Sequence, residues 1–132
     1  MAPNPITDIE SLMTHYNFQV EDLTSKRLDF RFELLQEEIN ELATARLNKD
    51  ADECVDALID IVVIALGTLH LSGVNVAQAW SVVHRANMSK LKGTKPGRPS
   101  DGWDLYKPEG WTAPSHINNT GNLNSLFKGE NK

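Results

Sequence analysis

Residues 34–66, LLQEEINELATARLNKDADECVDALIDIVVIAL, decide how this chain is read. Acidic residues sit in two sets, Glu37, Glu38 and Glu41, then Glu53, Asp56 and Asp60, each embedded among Leu, Ile, Val and Ala. At about 3.6 residues per turn, Glu38 and Glu41 share one helix face, as do Glu53 and Asp56. Between the sets lies Arg46-Leu47-Asn48-Lys49-Asp50, polar and short enough to be a turn between antiparallel helices. Closing that hairpin brings four carboxylates together at an otherwise apolar interface.

Such a cluster is costly. Removing an ionised carboxylate from water costs several kcal/mol even after relaxation, and like charges add repulsion. It persists if its members are protonated, if they face water, or if a cation sits among them. An all-oxygen donor set suits Mg²⁺ or Mn²⁺, whereas Zn²⁺ prefers His and Cys. Mg²⁺ takes one or two carboxylates and fills its remaining positions with water and phosphate oxygens. A helical carboxylate cage therefore points to phosphate-ester or anhydride chemistry.

Composition narrows the classes. The 132 residues suit one domain with a real core, and the net charge of −5 argues against general nucleic-acid binding. A single cysteine, Cys54, excludes an intramolecular disulfide, and no Cys/His spacing makes a zinc site. MAPNPITDIE lacks the basic and apolar regions of a signal peptide, and the longest apolar run, residues 61–66, is far short of the ~20 residues that cross a bilayer. The expectation is a cytoplasmic protein without membrane or nucleic-acid partners.

The spacing predicts four helices. Residues 6–18 place Ile6, Ile9, Leu12, Met13 and Tyr16 on one face, with Thr7 or Asp8 as cap. A second helix spans 24–47 without Gly or Pro, striped by Leu28, Phe32, Leu35, Ile39 and Leu42. Asp50-Ala-Asp-Glu53 has capping-box spacing, a rival task for Glu53, and opens a third helix to about Leu71 with Gly73 as its stop. From Ile59 to Leu69 that helix is apolar almost all round, which predicts a buried central helix partly covered by another subunit. Asn75-Val-Ala-Gln78 opens a fourth helix to about Leu91, with Val76, Ala79, Trp80, Val83 and Met88 inward. Beyond Lys92, Pro, Gly, Asn and Ser dominate and regular structure is not expected. Trp103, Tyr106, Lys107 and Trp111 nevertheless argue that residues 92–117 pack, leaving the last dozen mobile or weakly docked. The domain boundaries follow as 1–117 and 118–132.

Most acids on helices are solvated helix formers, and Glu10 and Glu33 belong to that class. Asp60 is the sharpest anomaly, one turn after Asp56 inside an apolar run. Glu37, one position off the pair, is either a supporting residue or a base. His70 reads as a core or interface histidine, and no Glu-x-x-His motif exists to build a di-iron site.

Glu37-Glu38-x-x-Glu41 followed by Glu53-x-x-Asp56 resembles the EExxE…ExxD signature of the MazG-like all-α nucleoside triphosphate pyrophosphohydrolases. That superfamily includes dimeric dUTPases and phosphoribosyl-ATP pyrophosphohydrolases. Arg31 and Leu34 before Glu37 and Glu38 match its R..L..EE run. Residues 86–91, ANMSKL, and the downstream Asp101-Gly102 and Lys107-Pro108-Glu109-Gly110-Trp111 look like the tail of phage-encoded members. Trp103 departs from the pattern, since many relatives have Lys after the Asp-Gly. The resemblance covers roughly residues 6–117.

It implies an all-α, four-helix MazG-like bundle with an irregular C-terminal tail, completed by homo-oligomerisation as a dimer or dimer of dimers. It also implies a nucleoside triphosphate pyrophosphohydrolase that yields the monophosphate and pyrophosphate, in the host cytoplasm if phage-encoded. Glu38, Glu41, Glu53 and Asp56 would hold Mg²⁺ or Mn²⁺, with Glu37 or Glu38 orienting or deprotonating the attacking water. Lys90, with Arg85, Lys92 and Lys107 as helpers, would meet the triphosphate charge. Asn87 and Asp60 would contact substrate. Base recognition would draw on the first helix and the loop after it, giving His15, Asn17 and Phe18 as candidates, with Trp80 or Trp103 as an aromatic. By analogy with phage members, dGTP or GTP is the favoured substrate, and phosphoribosyl-ATP the alternative. A non-catalytic helical interaction module is the reading from a different class.

Overall fold

A computed structural model describes residues 2–128. Among these the order is α1 (Pro5–His15), a 3₁₀ turn (Val20–Asp22), α2 (Ser25–Leu47), α3 (Ala51–Leu71), α4 (Val76–Met88), β1 (Leu91–Gly93), β2 (Asp104–Tyr106) and α5 (Leu123–Phe127). The helical bundle expected from the periodicity is present. The chain forms two compact units, one of residues 1–76 with 119–132 and one of residues 77–118, and each is described by itself.

The first unit is built on the hairpin of α2 and α3. Thr24 caps α2, its hydroxyl oxygen accepting the Arg27 amide, and Asp50 caps α3 by accepting the Glu53 amide. The capping box is only half made: the Asp50 amide donates to the Ala45 carbonyl at 2.9 Å, so the Glu53 carboxylate is not needed there. Lys49 closes the turn at a φ of 56°, a left-handed conformation usually given to glycine. Gly73, at a φ of 80°, ends the run of α3 as expected.

The core gathers Ile9 and Met13 of α1, Leu28 of α2, Leu66 and Leu71 of α3, Leu23, Val76 and Leu126. Two expectations about α1 are corrected. Asn4 caps it rather than Thr7 or Asp8, because Pro5 fits the first helical position and the Asn4 side chain accepts the Ile6 and Thr7 amides. Tyr16 lies past the end of the helix and is exposed.

Helix α3 is not buried all round. Val55, Leu58, Ile59 and Val62, spaced i, i+3, i+4 and i+7, form one exposed apolar face. Phe32 and Ile39 of the predicted α2 stripe are exposed as well. With 21 residues and a mean hydropathy of 2.0, α3 meets the length and composition of a bilayer span. Carboxylates at 53, 56 and 60 and packing against α1 and α2 instead make it the central helix of the bundle.

The tail departs most from expectation. Residues 119–128 are docked on their own chain. Leu126 is 3% exposed in the core, its carbonyl accepts the Ser25 hydroxyl, and the Asn122 amide donates to the Ser72 carbonyl at 2.7 Å. Asn119 exchanges two hydrogen bonds with the Asn75 backbone. A short α5 was invisible in the sequence because its two anchoring leucines, Leu123 and Leu126, are too few for a periodicity. The expected mobility of the very end concerns residues 129–132, which lie outside the described residues.

In the second unit α4 stops at Met88, short of Leu91, and residues 91–106 fold into an antiparallel pair. Leu91 faces Tyr106, Lys92 faces Leu105 and Gly93 faces Asp104. Regular structure therefore continues past Lys92. A Cβ on Gly93 would lie 2.7 Å from the Tyr106 ring, so glycine permits the ring to cross the strand. Arg98 and Asp104 form a bidentate ion pair with both contacts at 2.8 Å, which holds the Asp104 carboxyl below its ordinary range. Val76 and Ala79 point inward on α4 as expected, whereas Trp80, Val83 and Met88 are exposed.

Candidate active site on the central helical hairpin

The two acidic sets do meet. Glu38 and Glu41 of α2 are close enough for a shared proton to raise the Glu38 pKa, and the charges of Glu41, Asp60 and Asp56 act on Glu38. Burial, Glu41 and then Asp60 and Asp56 push the Glu38 carboxyl up to about 7. Glu53 is likewise pushed upward, first by burial and then by Asp56, Glu41, Asp50 and Asp52. Glu38, Glu53 and Asp60 are half-buried, while Glu41 and Asp56 are exposed.

One oxygen stands out. Oε2 of Glu38 is buried with no hydrogen-bond partner, the sole such side-chain oxygen or nitrogen among the described residues. Buried polar atoms are nearly always satisfied, and an orphaned carboxylate oxygen amid four other acids is what a bound cation would relieve. The donor set is oxygen throughout, which fits Mg²⁺ or Mn²⁺. As the side chains stand, no group of three His, Cys, Asp or Glu among the described residues is arranged to hold a metal ion. Any ligation would therefore need these carboxylates to take other rotamers.

Arg31 supports this site from one side. Its Nη2 donates to the Ile64 carbonyl and its Nε to the Thr68 hydroxyl, both at 3.0 Å, tying α2 to α3. Burial lowers the Arg31 pKa. Gly67 leaves room for the guanidinium, since a Cβ there would lie 2.6 Å from Nη2 and 2.8 Å from Met13 Cε. Arg31 precedes Glu38 by seven residues and Ile64 follows Asp60 by four, so the tie lies on the faces that carry the acids.

At the closed end of the hairpin lies an open cleft of about 320 Å³ lined by Asn40, Glu41, Thr44, Asn48, Asp50 and Glu53. It joins two of the clustered acids to a row of neutral polar side chains. Sequence reasoning missed Asn40, Thr44 and Asn48, although their i, i+4, i+8 spacing places them on one face beside Glu41.

The remaining candidates lie elsewhere. Glu37 is exposed on α2. Asn17 takes a φ of 58° just after α1, and its Oδ1 accepts the Gln19 side-chain Nε2–H at 2.8 Å. His15 packs edge-on against Tyr16 and both are exposed with Phe18. Asn87, Lys90 and Lys107 belong to the second unit. There Lys90 and Lys107 lie 5.3 and 5.2 Å from the Trp111 ring centroid, and Lys92 lies 5.9 Å from that of Trp103.

A sequence model of the phosphoribosyl-ATP pyrophosphohydrolase family matches residues 7–87, which include all five clustered acids and Arg31. The chain belongs to this family. It is a member of the MazG-like all-α pyrophosphohydrolase superfamily, and an activity of the nucleotide pyrophosphohydrolase type follows. No curated protein matches the chain. The matched segment ends before Lys90, so β1, β2 and the tail lie outside it.

Proposed function

We propose that this family member is a Mg²⁺- or Mn²⁺-dependent hydrolase that cleaves nucleoside triphosphates to the monophosphate and pyrophosphate. The observation that carries the reading is the five-carboxylate cluster on α2 and α3 with its orphaned Glu38 oxygen. Glu38, Glu41, Glu53 and Asp56 would hold the ion, with Asp60 beside them. When bound, the metal lowers the pKa of water and neutralises charge on the phosphates.

The chain's own groups supply the rest. A water oxygen forms a bond to the α-phosphorus as the bond from that phosphorus to the bridging oxygen of pyrophosphate breaks. Glu37 or Glu38 orients or deprotonates that water. The family resemblance alone assigns Lys90 and Lys107 to polyphosphate oxygens and Asn87 to phosphate or sugar. In the cleft that Glu41, Asp50 and Glu53 share with them, Asn40, Thr44 and Asn48 offer neutral hydrogen-bonding side chains to a nucleoside. A guanine nucleotide, dGTP or GTP, is the favoured substrate by analogy with phage members of the superfamily.

The family match favours a second reading, phosphoribosyl-ATP as substrate, which keeps the same bond cleavage. We place the protein in the cytoplasm as a homo-oligomer, a dimer or dimer of dimers, without nucleic-acid or membrane partners. The exposed α3 face of Val55, Leu58, Ile59 and Val62 supports self-association. A panel of the common ribo- and deoxyribonucleotides and phosphoribosyl-ATP, each with Mg²⁺ and Mn²⁺, tests the activity by pyrophosphate release. No release from any member sinks the enzyme reading, and release from phosphoribosyl-ATP alone selects the second.

A further inference from the structure

We propose that Trp111 is a positioning residue that holds Lys90 and Lys107 together as a two-cation clamp for a polyphosphate anion. The identity of that anion as a nucleotide's phosphate chain rests on the hydrolase reading above. Trp111 itself is fixed: its indole Nε1–H donates to the Ala86 carbonyl at 3.0 Å and to the Ser89 hydroxyl at 2.8 Å. Ala86 is buried in the last turns of α4, and Ser89 Oγ in turn donates to the Ala86 carbonyl at 2.7 Å. The ring is thus anchored at the helix end that leads into Lys90.

Both lysines use that ring. Lys90 Nζ lies 5.3 Å and Lys107 Nζ 5.2 Å from its centroid, within the reach of a cation–π attraction. The two ammonium nitrogens cannot then be farther apart than the sum of those distances. Lysine is flexible and strongly hydrated, so gathering two of them unaided costs side-chain entropy and repulsion. The negative face of the indole offsets both while leaving ammonium protons free to donate.

Charge favours an anionic ligand. Residues 77–118 carry six Lys and Arg (85, 90, 92, 95, 98 and 107) against three acids (101, 104 and 109), a net of +3 in a chain of net −5. Of those cations, Arg98 is engaged by Asp104. Two ammonium groups gathered on one ring suit an anion with several charges, such as a di- or triphosphate, better than a single phosphate. A merely structural role for Trp111 needs only its two indole hydrogen bonds and no lysine.

The test titrates the full-length protein with inorganic tripolyphosphate in EDTA, by calorimetry at fixed salt. Trp111→Leu should weaken binding about tenfold, whereas Trp111→Phe, which keeps an aromatic face, should lose no more than about threefold. Placed on Lys90→Met, Trp111→Leu should cost only about threefold, because one of its two clients is gone. A purely structural tryptophan lowers the melting temperature and leaves those ratios flat. The proposal is overturned if wild type does not bind tripolyphosphate, if folded Trp111→Leu binds like wild type, or if its penalty is undiminished on Lys90→Met.

A second measurement does not depend on Trp111→Leu folding. With Trp80→Phe and Trp103→Phe isolating the Trp111 emission, tripolyphosphate should shift it, and an unchanged spectrum overturns the clamp. Neither experiment needs turnover. Absence of nucleotide hydrolysis leaves the clamp standing, while hydrolysis without coupling defeats the clamp alone.

Discussion

Arg31→Met tests whether the α2–α3 tie matters to the site. The substitution removes donors to the Ile64 carbonyl and the Thr68 hydroxyl, each at 3.0 Å, and keeps an apolar stem of similar length. Hydrogen bonds involving a charged partner contribute about 1.5–3 kcal/mol each in favourable cases. Two features reduce that here. The Ile64 carbonyl still accepts the Thr68 hydroxyl at 2.7 Å, so neither partner is orphaned. Arginine is also half-buried, and methionine is released from the desolvation that lowers the Arg31 pKa. The net loss should be about 1–2 kcal/mol, which for a domain of this size is a fall of about 4–8 °C in Tm. Arg31→Lys should fall between, since one ammonium cannot replace a two-pronged donor. Thr68→Val combined with Arg31→Met should cost less than the two singly, by about 0.5–1 kcal/mol. Urea and thermal melts of wild type and the four variants measure all of this. An Arg31→Met stability within about 0.5 kcal/mol of wild type, or strict additivity with Thr68→Val, refutes the tie.

Three further outcomes are expected. Glu38 has a folded pKa near 7, above its ordinary 4.5. The folded protein therefore holds more protons across that window, and metal-free stability should fall as pH rises through it. Glu38→Gln should flatten the slope in thermal melts, and an equally steep slope in the variant contradicts the assignment. Wild type should be stabilised by Mn²⁺ by about 2.7 kcal/mol at one hundred times its Kd, and Asp56→Asn should lose most of that gain. Equal Mn²⁺-induced Tm shifts in the two proteins favour the non-catalytic reading. Gly121 has a φ of 55° and a Cβ there would fall 2.1 Å from the Ser72 carbonyl oxygen. Gly121→Ala should cost about 2–4 kcal/mol in chemical denaturation by displacing α5 from the core, with stability near wild type as the contrary result.

Much of the helical hairpin was legible because its signals are local. Thr24 and Asp50 mark helix starts, 23 residues of α2 lack any breaker, and the acids repeat at turn spacing. That spacing was enough to expect Glu38, Glu41, Glu53, Asp56 and Asp60 in one place, since a short turn permits only an antiparallel return. Tertiary structure decided what spacing does not encode. It chose which rotamer left one Glu38 oxygen without a partner, and it freed Glu53 from its capping task by giving the Asp50 amide to Ala45. It carried Leu126 back into a core formed fifty or more residues earlier in the chain. It set Trp111 against two lysines seventeen positions apart. Those outcomes depend on contacts between residues distant in sequence, whose energies appear only once the backbone has closed around them.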